Sequence, residues 1–498
     1  MKDADIIIIG SGMGGATMAA ALAHTGQKIV ILERGEQIAA SDLARNPQAI
    51  FGEGIYRSDE QWLDENDRPF NPGNYYYVGG NSKFYGAVLI RYRACDFDPI
   101  QHLDGQTPGW PISYADLEPF YQKAEHLYQV RGETGDDPTE PPHSGSYDFP
   151  PVPDEADIAD LRRRLAQVGL HPVSLPLGVD IDKWLAGGQT TWDAFPDIDG
   201  GKMDAQSIGL QKALSYQNVH LETGCHVTRL NASRDGRIST VEVKQNNQTD
   251  HWRAPLVILA AGAVQSAALL LASANDDFPA GLANSSDQLG RHFMNHNATA
   301  MLALHPLRKN KAIYQKTVMV NDFYKSGGPN NAPLGNVQLL GKITGPILAA
   351  NSGLPSFLAH WIAKRSVDFY LMSEDLPDPE SRVTLKNGQI KLNWTRSNKA
   401  AHDALVQRFR AKLKQAGYPI ILSKAFDRKT PSHQSGTARM GDDPSNNVVN
   451  VFCRSFDHPN LYITDASVLP TSAAVNPSLT IAALALRSAE HIIQQELS

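Results

Sequence analysis

Asp5-Ile-Ile-Ile-Ile-Gly10-Ser-Gly12-Met-Gly-Gly15 is the stretch that decides the fold. Four consecutive isoleucines read as a strand buried on both faces, the pattern of a parallel sheet. The glycines that follow form a GxGxxG turn. Gly10 permits the tight turn, Gly12 lets the backbone approach a pyrophosphate, and Gly15 lets a helix pack close to the strand. A small-residue helix is predicted over 16–24, stopped by Gly26. Residues 28–32, Lys-Ile-Val-Ile-Leu, predict a second buried strand, ending at Glu33. A carboxylate there, 23 residues after Gly10, suits the ribose hydroxyls of a dinucleotide. The helix start offers unpaired N–H groups and a positive dipole end to its phosphates. Glutamate rather than arginine at the strand end points to FAD or NAD over NADP.

Composition sets the outer limits. With 42% apolar and 20% charged residues among 498, the chain is globular, which excludes disordered, collagenous and coiled-coil classes. A formal charge of −7 gives no electrostatic reason to expect nucleic-acid binding. Cys95, Cys225 and Cys453 are far apart and form no CxxC pair, so inert thiols and no metal are expected. The acidic start runs directly into a strand. The apolar stretch 256–274 is broken by Gly262 and Gln265 and reads as strand, turn, helix. No membrane insertion and a cytoplasmic location are the expectations.

Further along, 75–86 is an aromatic, glycine-rich loop, with Gly79, Gly80 and Gly86 free to lie flat against a large surface. Ser113 predicts the N-cap of a helix from about Tyr114, and 132–156 an exposed loop. Residues 219–230 predict strand, turn, strand, and 238–243 and 252–260 continue as strands. Residues 256–262 suggest a return to the first sheet, placing Gly262 near the cofactor before a helix from about Gln265. Alternating patches at 381–385 and 390–394, with an amphipathic helix over 399–416, predict an antiparallel, substrate-side domain.

The C-terminal segment carries the chemistry. It holds His433-Gln-Ser-Gly-Thr437-Ala-Arg-Met-Gly441, then Asp465-Ala466-Ser467, then Asn476-Pro477-Ser-Leu-Thr480 before an alanine-rich helix. With the N-terminal fingerprint and the loop at 79–86, these motifs resemble the glucose–methanol–choline (GMC) oxidoreductase family over nearly the whole chain. The resemblance implies a mixed α/β fold, with a Rossmann-type FAD-binding domain and an interleaved antiparallel-sheet substrate domain, p-hydroxybenzoate-hydroxylase-like. The expected division is 1–100, 206–298 and 431–498 for FAD, and 101–205 and 299–430 for substrate.

It also implies FAD as cofactor and oxidation of a CH–OH group, with His433 as catalytic base and Asn476 as its partner, the His/Asn pairing of the family. A neutral imidazole suits removal of the hydroxyl proton while hydride leaves for flavin N5. An amide can hold the substrate oxygen without competing for the proton. Locally, Asn476-Pro477 also reads as an N-cap and N1 pair, and the helix start could face flavin N1 and O2. Cofactor contacts are expected at Gly10, Gly12, Gly15, Glu33, Gly79, Gly80, Asn81, Val227, Ala261, Gly262, Asp465, Ala466, Pro477 and Thr480. Where some members bear a histidine bonded covalently to FAD, this chain has Phe84, so non-covalent FAD is expected. The implied partners are a small alcohol, sugar, polyol or glycoside, and O2 or another electron acceptor. The competing reading is an FAD-containing lyase of the hydroxynitrile-lyase type on the same fold.

Overall fold

The computed structural model describes residues 1–430 and 433–497. Its first layer is a five-stranded parallel sheet in the order Leu461–Ile463, Leu256–Leu259, Ile6–Ile9, Ile29–Leu32, Val219–Glu222. The isoleucine strand lies at the centre, with all four side chains buried. Each such side chain contributes about 1.5–3 kcal/mol by leaving water.

Helix Met13–Leu22 follows the glycine turn, then a tight turn Ala23–Thr25, with Gly26 in the left-handed region at φ 77°. The helix starts three residues earlier than the small-residue pattern indicated, because the second half of the glycine motif is itself helical. It packs against the last helix, Ser478–Gln495, which also covers Tyr114–Leu127. Ser113 caps that third helix, accepting from Asp116 N at 3.2 Å. On the other side, His226–Ala232, Ile238–Gln245 and Gln248–Arg253 form an antiparallel meander. The strand–turn–strand predicted over 219–230 therefore feeds two different sheets.

The second body is a six-stranded antiparallel sheet in the order Ile420–Ala425, Asn297–Leu304, Ser366–Ser373, Asn336–Leu339, Val318–Val320, Pro172–Ser174. Strand alternation gives it two unlike faces. Met301, Ala303, Val337, Leu339, Phe369 and Leu371 pack on one side against helices Lys399–Gln415 and Ala156–Gln167. Ala300, Gln338 and Tyr370 lie in register and share the opposite face with Ala298 and Met372. The predicted 381–394 hairpin exists as Arg382–Lys386 and Gln389–Asn393, but it belongs to a separate small sheet with Trp62–Leu63 and Pro69–Phe70. The domain boundary expected at 431 lies outside the described residues.

Candidate active site

The carboxyl ends of four adjacent parallel strands converge on one crevice, where such sheets bind ligands. Gly10–Gly15, Glu33, Gly262 and Asp465 each follow one of these strands. Gly10 has φ 99°, and a Cβ there would lie 2.5 Å from Ala260 O. A Cβ at Gly15 would meet Gly10 O at 2.0 Å, and one at Gly14 would meet Thr464 O at 1.6 Å. The helix therefore approaches both neighbouring chain segments as closely as backbone allows. Gly14 occupies a variable position of the motif, and only the long-range contact with Thr464 reveals its constraint. Around Gly12 and Gly262, by contrast, a Cβ would have no protein atom within 4 Å. This open space, beside a helix N-terminus without a side-chain cap, fits a pyrophosphate.

Glu33 is buried and closes the turn. Its Oε2 accepts from Ser11 N at 2.9 Å and Ser11 Oγ at 2.6 Å, and its Oε1 from Gly35 N at 2.8 Å. Burial pushes its carboxyl up despite these donors. Ser11 Oγ also accepts from Gly79 N at 2.9 Å, so the aromatic loop docks on the glycine turn. A Cβ at Gly80 would lie 3.5 Å from Gly12 Cα. Asn81 Oδ1 accepts from Tyr75 N at 3.0 Å, and Phe84 stacks on Tyr75 with ring centres 3.9 Å apart.

Asp465 accepts from Gly262 N at 2.9 Å, Ser266 Oγ at 2.5 Å and Ser467 N at 2.8 Å, tying two strand ends together. Ala261 N donates to Ser266 Oγ at 3.2 Å, and Ala466 O accepts from Gly436 N at 3.0 Å. Val227 is buried in the meander opposite Val243. Thr480 lies inside the last helix, its hydroxyl 2.8 Å from Tyr121 OH. Among the described residues, no group of three or more His, Cys, Asp or Glu could hold a metal ion. No helix among them is long and apolar enough to cross a membrane. Burial pushes all three thiols up to about 11.

The second cluster joins the two bodies. An antiparallel bridge pairs Met294 with Ser435, with both N–H···O bonds at 2.9 Å. Two residues beyond that bridge on each segment, His296 faces His433, and their Nδ1 atoms are 2.7 Å apart. His296 Nε2 lies 3.0 Å from Ser472 O and 2.9 Å from Ala473 O. On the other edge, His433 Nε2 lies 3.2 Å from Asn476 Nδ2. Asn476 Oδ1 accepts from Gln338 Nε2 at 2.6 Å. The helix begins at Ser478 with Pro477 as its cap residue and no side-chain cap bond. The Asn476 side chain thus does not cap the helix. Two tertiary partners outcompete the local N-cap geometry that its neighbour Pro477 suggests.

His433 has φ 67° and Ala473 φ 51°. Left-handed backbone at non-glycine residues costs about 1–3 kcal/mol, and such strain concentrates at functional sites. Burial, the neighbouring His296 and the Lys316 cation hold the His433 imidazole well below its ordinary value. Lys316 is itself paired with Asp193 at 2.7 Å. Burial brings His296 down to about 4. Both rings are therefore neutral at neutral pH. His296 and Gln338 escaped the sequence reading. His296 sits in 291–296 without a motif, and Gln338 is a polar residue in a buried strand, a signal noticed only once its neighbours are known.

A dinucleotide crevice joined to a neutral histidine pair, one member of which has left-handed backbone, defines a flavoenzyme-like architecture. Known proteins agree. The model of FAD-dependent oxidoreductases matches residues 5–281, and that of GMC oxidoreductases matches 377–485. The chain belongs to the FAD-dependent oxidoreductases, and its C-terminal part is a GMC oxidoreductase domain. It is 28% identical to 6'''-hydroxyparomomycin C oxidase from Streptomyces lividus, over 98% of this chain and 91% of that protein. Paromamine 6'-oxidase from Streptomyces fradiae is 27% identical over the same shares. 2-Methyl-1,2-propanediol dehydrogenase from Mycolicibacterium austroafricanum is 25% identical, over 98% and 95%. The crystal structure of pyridoxine 4-oxidase from Mesorbium loti shares the fold, with a TM-score of 0.69 at 18% identity over 99% of this chain and all of that one.

Proposed function

We propose that this enzyme oxidises a CH–OH group of a sugar, polyol or glycoside, with His433 as base and Asn476 as the group that holds the substrate oxygen. The observation that carries this reading is the pairing of His433 Nε2 with Asn476 Nδ2 at 3.2 Å, beside the face of the second sheet that bears Gln338 and Tyr370. FAD, when bound, supplies the hydride acceptor at its N5. His433 takes the hydroxyl proton at Nε2. Asn476 donates to the alcohol oxygen, and Gln338 keeps that amide turned with its NH2 toward His433. The uncapped N–H groups at the start of Ser478–Gln495, with no acidic residue in the first turn, are available to stabilise negative charge.

FAD is held, in this reading, by Gly10, Gly12, Gly15, Glu33, Gly79, Gly80, Asn81, Val227, Ala261, Gly262, Asp465, Ala466, Pro477 and Thr480. It is held without a covalent bond, because the phenyl ring of Phe84 offers no nucleophile. The chain divides as 1–100, 206–298 and 431–498 on the FAD side, and 101–205 and 299–430 on the substrate side. Two of the relatives described above are named 6'''-hydroxyparomomycin C oxidase and paromamine 6'-oxidase, which supports an aminoglycoside hydroxyl as the first substrate to try.

Anaerobic mixing of the holoprotein with aminoglycosides, free sugars, polyols and simple alcohols tests the assignment. Bleaching of the oxidised-flavin absorbance by a glycoside or polyol is expected. Bleaching by none, in protein that dithionite reduces, would set aside the sugar and glycoside reading.

The depressed His433 value fixes the sign of a pH effect. An ordinary imidazole, near 6.5, has lost half its base form at that pH. His433 keeps its lone pair well below it. The limiting rate of flavin reduction therefore stays level from about pH 8 down to about pH 6. A fall with a midpoint near 6.5 would show a solvated, ordinary histidine.

A further inference from the structure

We propose that His296 is the positioning residue that sets the tautomer of His433, leaving the lone pair on His433 Nε2. This rests on the reading of His433 as the base and adds a residue that nothing local in the sequence marks.

The chain of reasoning starts from backbone, where donor and acceptor are not interchangeable. His296 Nε2 faces only acceptors, the carbonyls of Ser472 and Ala473 at 3.0 and 2.9 Å. It must therefore carry a proton. The carbonyls are themselves fixed, since Ala473 N donates to Glu374 Oε1 at 2.9 Å and Tyr92 OH donates to Ser472 O at 2.9 Å. His296 is 2% exposed and held neutral by burial. A neutral imidazole with Nε2–H has a bare Nδ1. The 2.7 Å contact between the two Nδ1 atoms then requires the proton to sit on His433 Nδ1. His433 Nε2 is left unprotonated, which is the form that accepts from Asn476 Nδ2 at 3.2 Å. The Met294–Ser435 bridge builds this register into the fold. Once His433 gains a second proton at Nε2, its Nδ1–H still meets an acceptor in His296 Nδ1, so no donors clash at that nitrogen.

Two experiments test the assignment. The first is nitrogen NMR of [15N]histidine-labelled holoprotein near neutral pH, with the His433 signals identified by their loss in His433→Asn. The expected result is a pyridine-like Nε2 and a pyrrole-like Nδ1 for His433. The opposite pattern overturns the inference. This readout does not depend on turnover, so it also decides if a His296 variant fails to bind FAD. The second compares His296→Leu, which removes the acceptor, with His296→Asn, which restores one near the position of Nδ1. A group lost from acid–base chemistry costs about 10²–10⁴-fold. His296→Leu is expected to lower the limiting rate of flavin reduction about 10²-fold, with the substrate Kd within a few-fold of wild type, and His296→Asn to recover about 10-fold of that. Equal loss in both variants, or a loss confined to Kd, would show a merely structural role. Should His433→Ala reduce flavin as fast as wild type, the base reading fails, while the NMR pattern still decides the tautomer.

Discussion

His433→Ala keeps FAD and fold but slows flavin reduction by about 10²–10⁴-fold, the usual range for a lost acid–base group. The size follows from what the site leaves behind. Asn476, bonded to Gln338, still holds the alcohol oxygen, while the nitrogen that faces its Nδ2 at 3.2 Å, and would take the proton, is gone. The fold survives because His433 is half-buried and its backbone is anchored through the neighbouring Ser435 and Gly436, bonded to Met294 O at 2.9 Å and Ala466 O at 3.0 Å. His433→Asn serves as a second variant, since asparagine tolerates the left-handed φ of 67°. Stopped-flow reduction under anaerobic conditions checks both. Reduction at the wild-type rate in either variant would remove His433 from the chemistry.

Gly12→Ala is expected to leave the protein without FAD as stable as wild type, within about 1 kcal/mol, and to weaken FAD binding about 10- to 100-fold. Gly12 has φ −68° and ψ −171°, a conformation any residue adopts. The added methyl meets no protein atom within 4 Å, so the empty fold does not register it. The same methyl occupies the space at the helix N-terminus that fits the pyrophosphate. Overpacking of this kind costs about 1–3 kcal/mol, which corresponds to about 10- to 100-fold in Kd. Gly14→Ala provides the contrast: its Cβ would lie 1.6 Å from Thr464 O, so the fold itself must yield. Thermal unfolding of the FAD-free protein and FAD titration check the pair. Unchanged FAD affinity in Gly12→Ala would put the pyrophosphate elsewhere.

The parts of this molecule that were legible in sequence are those determined by near neighbours. A doubly buried parallel strand is a continuous apolar run, and its glycine turn is contiguous, so both strands and the turn of 5–33 read correctly and only the helix start is displaced, by three residues. The Ser113 cap reads for the same reason. Residues whose role depends on register between distant segments do not read at all. His296 becomes significant only because Met294 pairs with Ser435 across 141 positions. Gln338 becomes significant because alternation along its strand turns it to the same face as Tyr370. Gly14 is fixed by a carbonyl from the far end of the chain. Asn476 shows the converse error: its local context signals a helix cap, and two tertiary hydrogen bonds override that signal. The 381–394 hairpin was visible by alternation, but alternation does not tell which sheet a hairpin joins.

The central claim is that this chain removes hydrogen from an alcohol carbon with FAD as acceptor. The most direct measurement is anaerobic mixing of the holoprotein with its best alcohol, carrying either protium or deuterium on the carbinol carbon, while the oxidised-flavin absorbance is followed. The account predicts bleaching with one equivalent of carbonyl product, several-fold slower with deuterium as expected when that C–H bond breaks in the rate-limiting barrier. Product formation with the flavin absorbance unchanged, as a lyase would give, would contradict it.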